Sequence, residues 1–329
     1  MSTPGEARAA RPTDLPAIAA ILDAVWLELG QPIVHTVEEL NEEFSSEATS
    51  LSDVLVWESA DGELVGVGYT VLLPGESLAR CYLFGGVHPE WRRRGIGGAL
   101  IDQLIDRSKR RLHGGSSNRR VMRTHRPTTS ISAARLLRAR DFSVVRYFTD
   151  MHRDTNASPA AVLADGYRIN TWDPSRSEEI RLLKNLAFSD HWGSTPSSTD
   201  AWRSTVDSSA TRLDLSRTVT APNGELVGLL LTRRHPADDE TLGANYAWMD
   251  LIATHPDHRG RGIAAAMILD ALNAYRRDGI ERAALEVDAD SPTGAHRLYA
   301  KLGFEPWHKV ETDELDLTVL AGATSPPTG

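Results

Sequence analysis

The sequence predicts an α/β protein that consists of two tandem copies of one domain. Three observations support this prediction. The length of 329 residues favours two domains of ordinary size. A motif occurs twice, and in both places a strand-like run, a glycine-rich turn and an amphipathic helix pattern follow one another. With 41% hydrophobic and 25% charged residues, the composition is that of a globular protein and excludes wholesale disorder.

The repeated motif matches without gaps. HPEWRRRGIGG at 88–98 corresponds to HPDHRGRGIAA at 255–265, with His-Pro, an acidic residue and Arg-x-Arg-Gly-Ile in one register. Upstream, each copy carries a hairpin pattern around an Asp-Gly or Asn-Gly turn, at 61–62 and 223–224. The polar, alanine-rich segment 152–166 is the predicted junction, which gives domains at 1–155 and 156–329.

Charge and composition restrict the classes of function. A formal net charge of −9 argues against a general nucleic-acid or anionic-membrane binder, because both need a positive surface field. No apolar run reaches membrane-spanning length and the N-terminus lacks the apolar region of a secretory signal, so we expect a cytoplasmic protein. Its one cysteine, Cys81, cannot form an internal disulfide. The histidines show no metal-ligand spacing, so no metal is expected.

The glycine-rich loop is suited to a phosphate. A strand, a glycine-rich loop and a helix start expose backbone N–H groups in one concavity, and a Cβ would block the approach of an anion. The dinucleotide fingerprint would need glycine in place of Leu100, and the Walker Gly-Lys-Ser/Thr is absent. The pattern that does fit is Arg-x-x-Gly-x-Gly/Ala, at 92–97 and again at 259–264.

Together with the preceding strands and the later AHRLYAKLGF (295–304), this pattern resembles the pyrophosphate motif of the GNAT superfamily of N-acetyltransferases. The resemblance covers nearly the whole chain as two copies. It implies two GNAT domains, each a mixed, mostly antiparallel sheet flanked by helices. It also implies transfer of an acetyl group from acetyl-CoA to a primary amine, with a small-molecule acceptor preferred over a protein. The tandem form is similar to that of mycothiol synthases, whose first copy is inactive. The segment 185–202 does not obviously match their acceptor-binding residues.

The resemblance also implies which residues meet coenzyme A. In the second copy they are Leu251, Ile252, Ala253, Thr254, Arg259, Gly260, Arg261, Gly262, Ile263 and Ala264. In the first copy they are Gly86, Val87, Arg92, Arg93, Arg94, Gly95, Ile96 and Gly97.

The catalytic residues are expected in the second copy. Tyr299 matches the tyrosine that protonates the departing thiolate in many GNAT members, and a phenol with a pKa near about 10 can donate at neutral pH. A structural role in the core is the alternative. The first copy has Leu137 at the aligned position, and leucine cannot donate a proton, so this copy is predicted to be non-catalytic. For the base, Asp250 lies where many relatives carry a glutamate, and Glu286 and Asp288 are rivals.

The acceptor is expected near the first two helices of the second copy, where Asp190, His191 and Trp192 form a polar, aromatic loop. The tryptophan could instead belong to the core. An acyl-CoA-binding protein without catalysis and a protein N-acetyltransferase are the alternative functions. Because the duplication already supplies a pseudo-dimer, the chain is expected to be either a monomer or a homodimer.

Overall fold

The strands and helices fall into two units, each built on a mixed sheet with helices on both faces. The structure, a computed structural model, describes residues 5–31, 33–46, 48–75, 77–112, 117–156, 159–290 and 294–318. Unit 1 comprises residues 1–147 and 310–329, and unit 2 comprises residues 148–309. The expected junction at 152–166 therefore lies inside unit 2, and its residues 157 and 158 are outside the described ranges.

Among the described residues, unit 1 contains four α-helices, five complete strands and parts of two more. The strands are β1 (Ala7–Ala9), β2 (Leu55–Glu58), β3 (Leu64–Leu73), β4 (Leu78–Val87) and β5 (Arg119–Pro127), and the helices are α1 (Leu15–Glu28), α2 (Val37–Glu43), α3 (Ile96–Leu112) and α4 (Ile131–Arg138). Strand β6 (Ser143–Asp154) begins here and continues in unit 2.

Unit 2 repeats the pattern. Its elements are β7 (Arg168–Thr171), α5 (Ser177–Ala187), α6 (Thr199–Asp207), β8 (Arg217–Thr220), β9 (Leu226–Arg233), α7 (Asp239–Leu242), β10 (Tyr246–Thr254), α8 (Ile263–Arg277), β11 (Arg282–Asp288) and α9 (Ala295–Lys301). Strand β12 (Glu305–Asp316) starts in unit 2 and ends in unit 1.

One strand of each sheet comes from the other sequence repeat. In unit 1 the order is β1-β2-β3-β4-β5-β12, and in unit 2 it is β6-β11-β10-β9-β8-β7. Residues 148–154 of β6 pair antiparallel with β11, and residues 310–316 of β12 pair antiparallel with β5. The units therefore do not follow the single division between 155 and 156 that the sequence suggested, because each repeat donates a strand end to the sheet of the other unit.

Strands β10 and β11 of unit 2 separate part of the way along. They pair in parallel only as far as Trp248, which lies opposite Ala284. On its other side β10 pairs antiparallel with β9. Met249 lies opposite Thr232, and Leu251 lies opposite Leu231, so Asp250 has no partner on β9. Asp250 is therefore the extra residue of a β-bulge, a device that bends a strand and redirects a side chain. The separation leaves the end of β10 open toward a ligand.

Helices cover the two faces of the unit 2 sheet with separate cores. Helix α8 packs on one face, where Met267 and Ile268 are fully buried against β10 and β11. Helices α5 and α6 pack on the other face, around Ile180 and Trp202. This second core covers the part of that face formed by β8 and β9. The acidic and aromatic side chains described below lie on the same face, where β6, β10 and β11 form it.

Candidate active site

A cleft of about 540 Å³ lies in unit 2 between the end of β10, the start of α8 and α9. Its lining includes residues that the sequence analysis predicted separately for cofactor, catalysis and acceptor: Ile252, Ala253, Thr254, Arg259, Gly260, Gly262, Ile263, Ala264, Tyr299, Asp190 and His191. Leu251, Arg261, Trp192 and Asp250 are close in sequence but do not line it. Leu251 packs against the α5 core, so only its backbone is available to a ligand.

The glycine-rich loop has the shape of an anion site. Gly260 and Gly262 both adopt left-handed backbone conformations, with φ of 75° and 77°, and the space beside each Cα is open. Helix α8 starts directly after Gly262 and is 15 residues long. Its first backbone N–H groups have no intrahelical acceptor, and the helix dipole favours negative charge there. The loop therefore fits a pyrophosphate, whose approach a Cβ would obstruct.

The two arginines of the loop are engaged with protein groups. The Arg259 guanidinium donates to Asp190 at 2.5 and 3.2 Å and to the carbonyl of Ala187 at 2.8 Å. It thereby lowers the pKa of the Asp190 carboxyl. Arg261 donates to the hydroxyl of Tyr167 at 3.0 Å. Arg259 thus joins the phosphate loop to the end of α5 and to the predicted acceptor loop.

Tyr299 lies on α9, with only 8% of its surface exposed, and it both lines the cleft and belongs to the α8 core. Burial raises the pKa of its hydroxyl to about 12, so it stays protonated at every physiological pH. Its ring meets that of Phe304 edge to face. The two roles weighed from the sequence, proton donor and core aromatic, are thus compatible in one side chain.

Three carboxylates lie side by side on three neighbouring strands. Asp150 on β6 is the direct partner of Glu286 on β11, and Glu286 interacts electrostatically with Asp250 on β10. We call these three residues the carboxylate row. Two residues further along β11, Asp288 also repels the charge of Glu286.

The pKa values of the carboxylate row are raised. Burial, reinforced by the neighbouring carboxylates, raises the pKa of Glu286 to about 7, and burial raises that of Asp150 to about 6. The pKa of Asp250 is raised too, mainly by burial and against the pull of Arg233 and His235. By surface area Asp250 and Glu286 are exposed, yet protein atoms crowd them on the remaining sides. Solvation of these two carboxylates is therefore reduced, but a proton can still leave to solvent.

Sequence reasoning missed Asp150. The residue belongs by sequence to the last strand of the first repeat, and the signal for it lies only in the strand pairing, which brings residues 148–154 alongside β11. The same pairing places His152 opposite Ala284. No local pattern identifies which sheet a strand joins.

Aromatic rings border the carboxylate row. Trp307 stacks on His152, Tyr246 and Trp248, with ring centres 5.0, 5.3 and 6.3 Å away. The Tyr246 hydroxyl contacts His152 at 3.2 Å and accepts from Arg282 at 3.1 Å. Trp248 and Trp307 remain partly exposed. These rings form an apolar wall next to the acids.

The three residues of the predicted acceptor loop make different contacts. His191 lines the cleft and packs on Phe188, with ring centres 4.6 Å apart, and burial lowers its pKa. Trp192 lies near Phe148 of β6, with a ring distance of 6.4 Å. Asp190, by contrast, is held by Arg259.

The loop of unit 1 keeps the same backbone. Arg93 and Gly95 are left-handed, with φ of 62° and 84°, at the positions of the two glycines in unit 2. Arg92 donates to the carbonyl of Val87 at 3.1 Å and forms an ion pair with Glu28 at the end of α1. The other residues predicted to meet coenzyme A, Gly86, Arg94, Ile96 and Gly97, lie along the same strand end, loop and helix start. A Cβ on Gly97 would meet Leu136 of α4 at 3.3 Å.

The separated strands of unit 1 carry different side chains. Strands β4 and β5 part after Tyr82, and β4 pairs with β3 without a bulge. Counting from the last parallel pair, His125 takes the place of Glu286 and Thr312 that of Asp150. His125 is bonded to Thr312 at 3.0 Å, and the ring of Tyr82 stacks on it. Asp250 has no counterpart.

Leu137 does occupy the position of Tyr299 in unit 1. The Phe142 N–H donates to the Leu137 carbonyl as the Phe304 N–H donates to Tyr299, at 3.2 and 3.0 Å. Leu137 is buried in the core of unit 1. In the described part of the chain, no group of three or more His, Cys, Asp or Glu residues is placed to hold a metal. No described helix is long and apolar enough to cross a membrane.

Comparison with known proteins agrees with this geometry. The model of the acetyltransferase (GNAT) family matches residues 178–304, and that of an acetyltransferase (GNAT) domain matches residues 50–144. A mycothiol acetyltransferase of Thermobispora bispora is 31% identical over 67% of this chain and 71% of its own length. Another, from Saccharomonospora viridis, is 29% identical over 90% of this chain and 92% of its own length.

Solved structures share the fold over the full length. A GCN5-related N-acetyltransferase from Sphaerobacter thermophilus has a TM-score of 0.74 at 25% identity, with 95% of both chains covered. A tandem GNAT protein from the clavulanic acid biosynthesis pathway has a TM-score of 0.70 at 18% identity, over 98% of this chain and 99% of that one. The chain therefore belongs to the GNAT family of acetyltransferases. It is an acetyl-CoA-dependent N-acetyltransferase of the tandem, mycothiol synthase-like type.

Proposed function

We propose that unit 2 transfers the acetyl group of acetyl-CoA to a primary amine of a small molecule and that unit 1 has no catalytic role. One observation carries the proposal. Strand β10 contributes Ile252 and Thr254 to the cleft that also holds the phosphate loop and Tyr299, and the same strand carries Asp250 of the carboxylate row. Strand β10 therefore runs from the carboxylate row to the cleft lined by Tyr299 and the glycine-rich loop.

The cofactor-binding part of the proposal rests on the loop. The N–H groups of residues 260–264 would hold the pyrophosphate, and the backbone of residues 251–254, freed from pairing with β11, would hold the pantetheine arm. When bound, acetyl-CoA supplies the thioester that is attacked. In unit 1 Arg93 and Gly95 share the left-handed backbone of Gly260 and Gly262, so we propose that residues 86–87 and 92–97 bind coenzyme A without turnover.

Proton removal is the task of the carboxylate row. An alkylammonium acceptor has a pKa near about 10.4 and must lose a proton before nitrogen can attack. With a pKa of about 7, Glu286 is ionised often enough at neutral pH to accept that proton and basic enough to hold it. Asp250, the base expected from the sequence, is adjacent and, after burial and Asp150, adds to the rise in the pKa of Glu286. We propose that the two act as a pair, with Glu286 as the proton acceptor.

Proton donation falls to Tyr299. Its hydroxyl remains protonated because its pKa is about 12, and its position on the cleft wall lets it donate to the sulfur that leaves. His191 and Trp192 would form the acceptor side of the cleft, and Asp190 would hold their loop in place through Arg259.

Acetyl transfer with the full chain tests this function. The enzyme is mixed with acetyl-CoA and a panel of small primary amines, and thiol release and the mass of the amine are measured. We expect amine-dependent thiol release with one acetyl group added to the amine. A Glu286→Gln, Tyr299→Phe double variant serves as the control and should release thiol only at background rate. Acetylation confined to peptide N-termini, or equal activity of the double variant, would contradict the proposal.

A further inference from the structure

The carboxylate row holds more acid than the reaction needs. Removal of one proton from one ammonium requires one base, yet Asp150, Glu286 and Asp250 lie together. We propose that the acceptor carries at least two ammonium groups. One, next to Glu286, is acetylated, and Asp150 binds the second. This inference rests on the proposed function of unit 2 and specifies its substrate class as a diamine or larger polyamine.

Asp150 is the residue that points to a ligand. Only 9% of its surface is exposed, and among the described residues its side chain has no hydrogen-bond or ion-pair partner. Its oxygens are not among the fully buried polar atoms that lack a partner, so they face solvent, where a ligand can reach them. As the direct partner of Glu286 on an antiparallel strand, Asp150 projects from the same face. The bound ammonium would supply the missing donor.

Acids outnumber the positive groups around the row, although Arg233 balances part of the charge of Asp250. Arg233, which faces Asp250, donates to Ser208 at 3.3 Å. Arg282, at the start of β11, donates to Tyr246 and pairs with Asp154 at 3.2 Å. His235 also faces Asp250, and Asp288 adds a further negative charge beside Glu286. The row therefore keeps net negative charge that a dication would balance and that an acceptor bearing a carboxylate would increase.

The aromatic wall suits the rest of such a molecule. Trp248 lies two residues before Asp250 on β10, and Trp307 stacks beside it. Their partly exposed rings offer an apolar surface for a methylene chain and electron-rich faces for an ammonium. The Cβ atoms of directly opposed residues lie about 5 Å apart. The spacing between Glu286 and Asp150 therefore fits ammonium groups separated by a short alkyl chain.

Unit 1 shows that the fold itself does not require these acids. His125 and Thr312 stand at the positions of Glu286 and Asp150 and bond to each other. Burial, together with the positive charge of Arg123, lowers the pKa of His125 to about 4, so this pair is neutral at pH 7. The charge of the row is thus specific to the unit that carries Tyr299.

The inference is tested by measuring the binding of three ligands that share a five-carbon chain and differ at one end. Calorimetry on the full chain loaded with coenzyme A, which cannot donate an acetyl group, compares 1,5-diaminopentane, pentylamine and 5-aminopentanoate at a pH of about 8.5. We expect the diamine to bind at least about tenfold more tightly than pentylamine, since a hydrogen bond to a charged group is worth that much, and the amino acid to bind most weakly. Diamine and monoamine affinities within twofold of each other, or no diamine binding, would overturn the proposal.

Two variants test whether Asp150 itself, rather than the negative charge of strand β6 in general, binds the second ammonium group. Asp150→Asn should bring the diamine-to-monoamine affinity ratio to near one while leaving pentylamine binding within about twofold. Asp154→Asn removes an exposed acid from the same strand and should keep the ratio. An unchanged ratio in a folded Asp150→Asn protein would overturn the role of Asp150. Diamine binding without acetyl transfer from acetyl-CoA would leave this inference standing and remove the proposed function instead.

Discussion

Units 1 and 2 share a phosphate-loop backbone and differ in what surrounds the end of the separated strands. Both loops have two left-handed residues followed by a helix, and in both units the parallel pairing before the loop stops part of the way along, at Trp248–Ala284 and at Tyr82–Arg123. Unit 2 then has a bulge at Asp250, with Glu286 and Asp150 across from it. Unit 1 has a continuous β3–β4 ladder and a neutral His–Thr pair.

The difference supports the proposal that unit 2 carries the chemistry. A loop made of backbone N–H groups depends on conformation, so it survives sequence change as long as the turn is kept; even Arg93 adopts the left-handed φ in unit 1. Proton transfer depends on particular side chains, and unit 1 lacks the bulge and has other residues at three of these positions. Under the proposed function, the glycine-rich loop alone does not identify the active copy, whereas the residues across the separated strands do.

The largest effect is expected at the carboxylate row. Glu286→Gln keeps the shape of the side chain but cannot accept a proton, so kcat at pH 7 should fall by about a hundredfold or more. Because the base must be ionised, the rate of the wild type should be lost as pH falls below about 7, the pKa of Glu286, and level off above it. The variant should lose this inflection in its pH profile.

His125→Gln, at the matching position of unit 1, is the control for Glu286→Gln and should keep kcat within about twofold. If the unit 1 variant lost activity as the unit 2 variant does, the assignment of catalysis to unit 2 would be wrong.

The second effect concerns the proton donor. Tyr299→Phe removes only the hydroxyl, so kcat should fall at least about tenfold while the Kd for acetyl-CoA changes little. Tyr275→Phe is the matched control, because Tyr275 is also a buried tyrosine and its hydroxyl bonds Thr232 at 2.6 Å. That control should lower Tm and leave kcat unchanged. Normal turnover with lowered Tm in Tyr299→Phe would show a purely structural tyrosine.

A smaller effect is expected at the loop glycines. Gly262→Val places a side chain in open space where phosphate oxygens would lie, at a φ of 77° that valine resists. The KM for acetyl-CoA should rise about tenfold. Gly95→Val imposes the same strain in unit 1, at a φ of 84° and also in open space. It should lower Tm by a similar amount with turnover intact. Equal acetyl-CoA affinity in folded Gly262→Val and wild type would exclude the loop as the pyrophosphate site.

The smallest effect separates two roles of one arginine. Arg259→Gln breaks the ion pair with Asp190 and frees the acceptor loop, so the KM for the amine should rise about three- to tenfold. The Kd for acetyl-CoA should move less than about threefold. Arg92→Gln, which breaks the equivalent pair with Glu28 in unit 1, should change neither constant. A large loss of acetyl-CoA affinity with an unchanged amine KM would make Arg259 a direct phosphate ligand.

The sequence by itself determined the duplication, the α/β class, the two glycine-rich loops and the alignment of Tyr299 with Leu137. These features are local: a glycine at a left-handed turn, apolar residues at helical spacing and a motif repeated in one register can be recognised without knowledge of the fold. The match of Leu137 with Tyr299 also followed from aligned motifs, and the equivalent backbone hydrogen bonds of the two units agree with it.

Only the tertiary structure decided the composition of the site. Asp150 belongs by sequence to the first repeat and reaches unit 2 because β6 pairs with β11. The bulge at Asp250 and the pairing of Arg259 with Asp190 depend on contacts between segments far apart in the chain. Strands pair through backbone groups that all residues except proline carry. A sequence pattern therefore does not reveal which strand a given strand joins. The carboxylate row, and with it the inferred preference for a diamine, exists only once those strands are side by side.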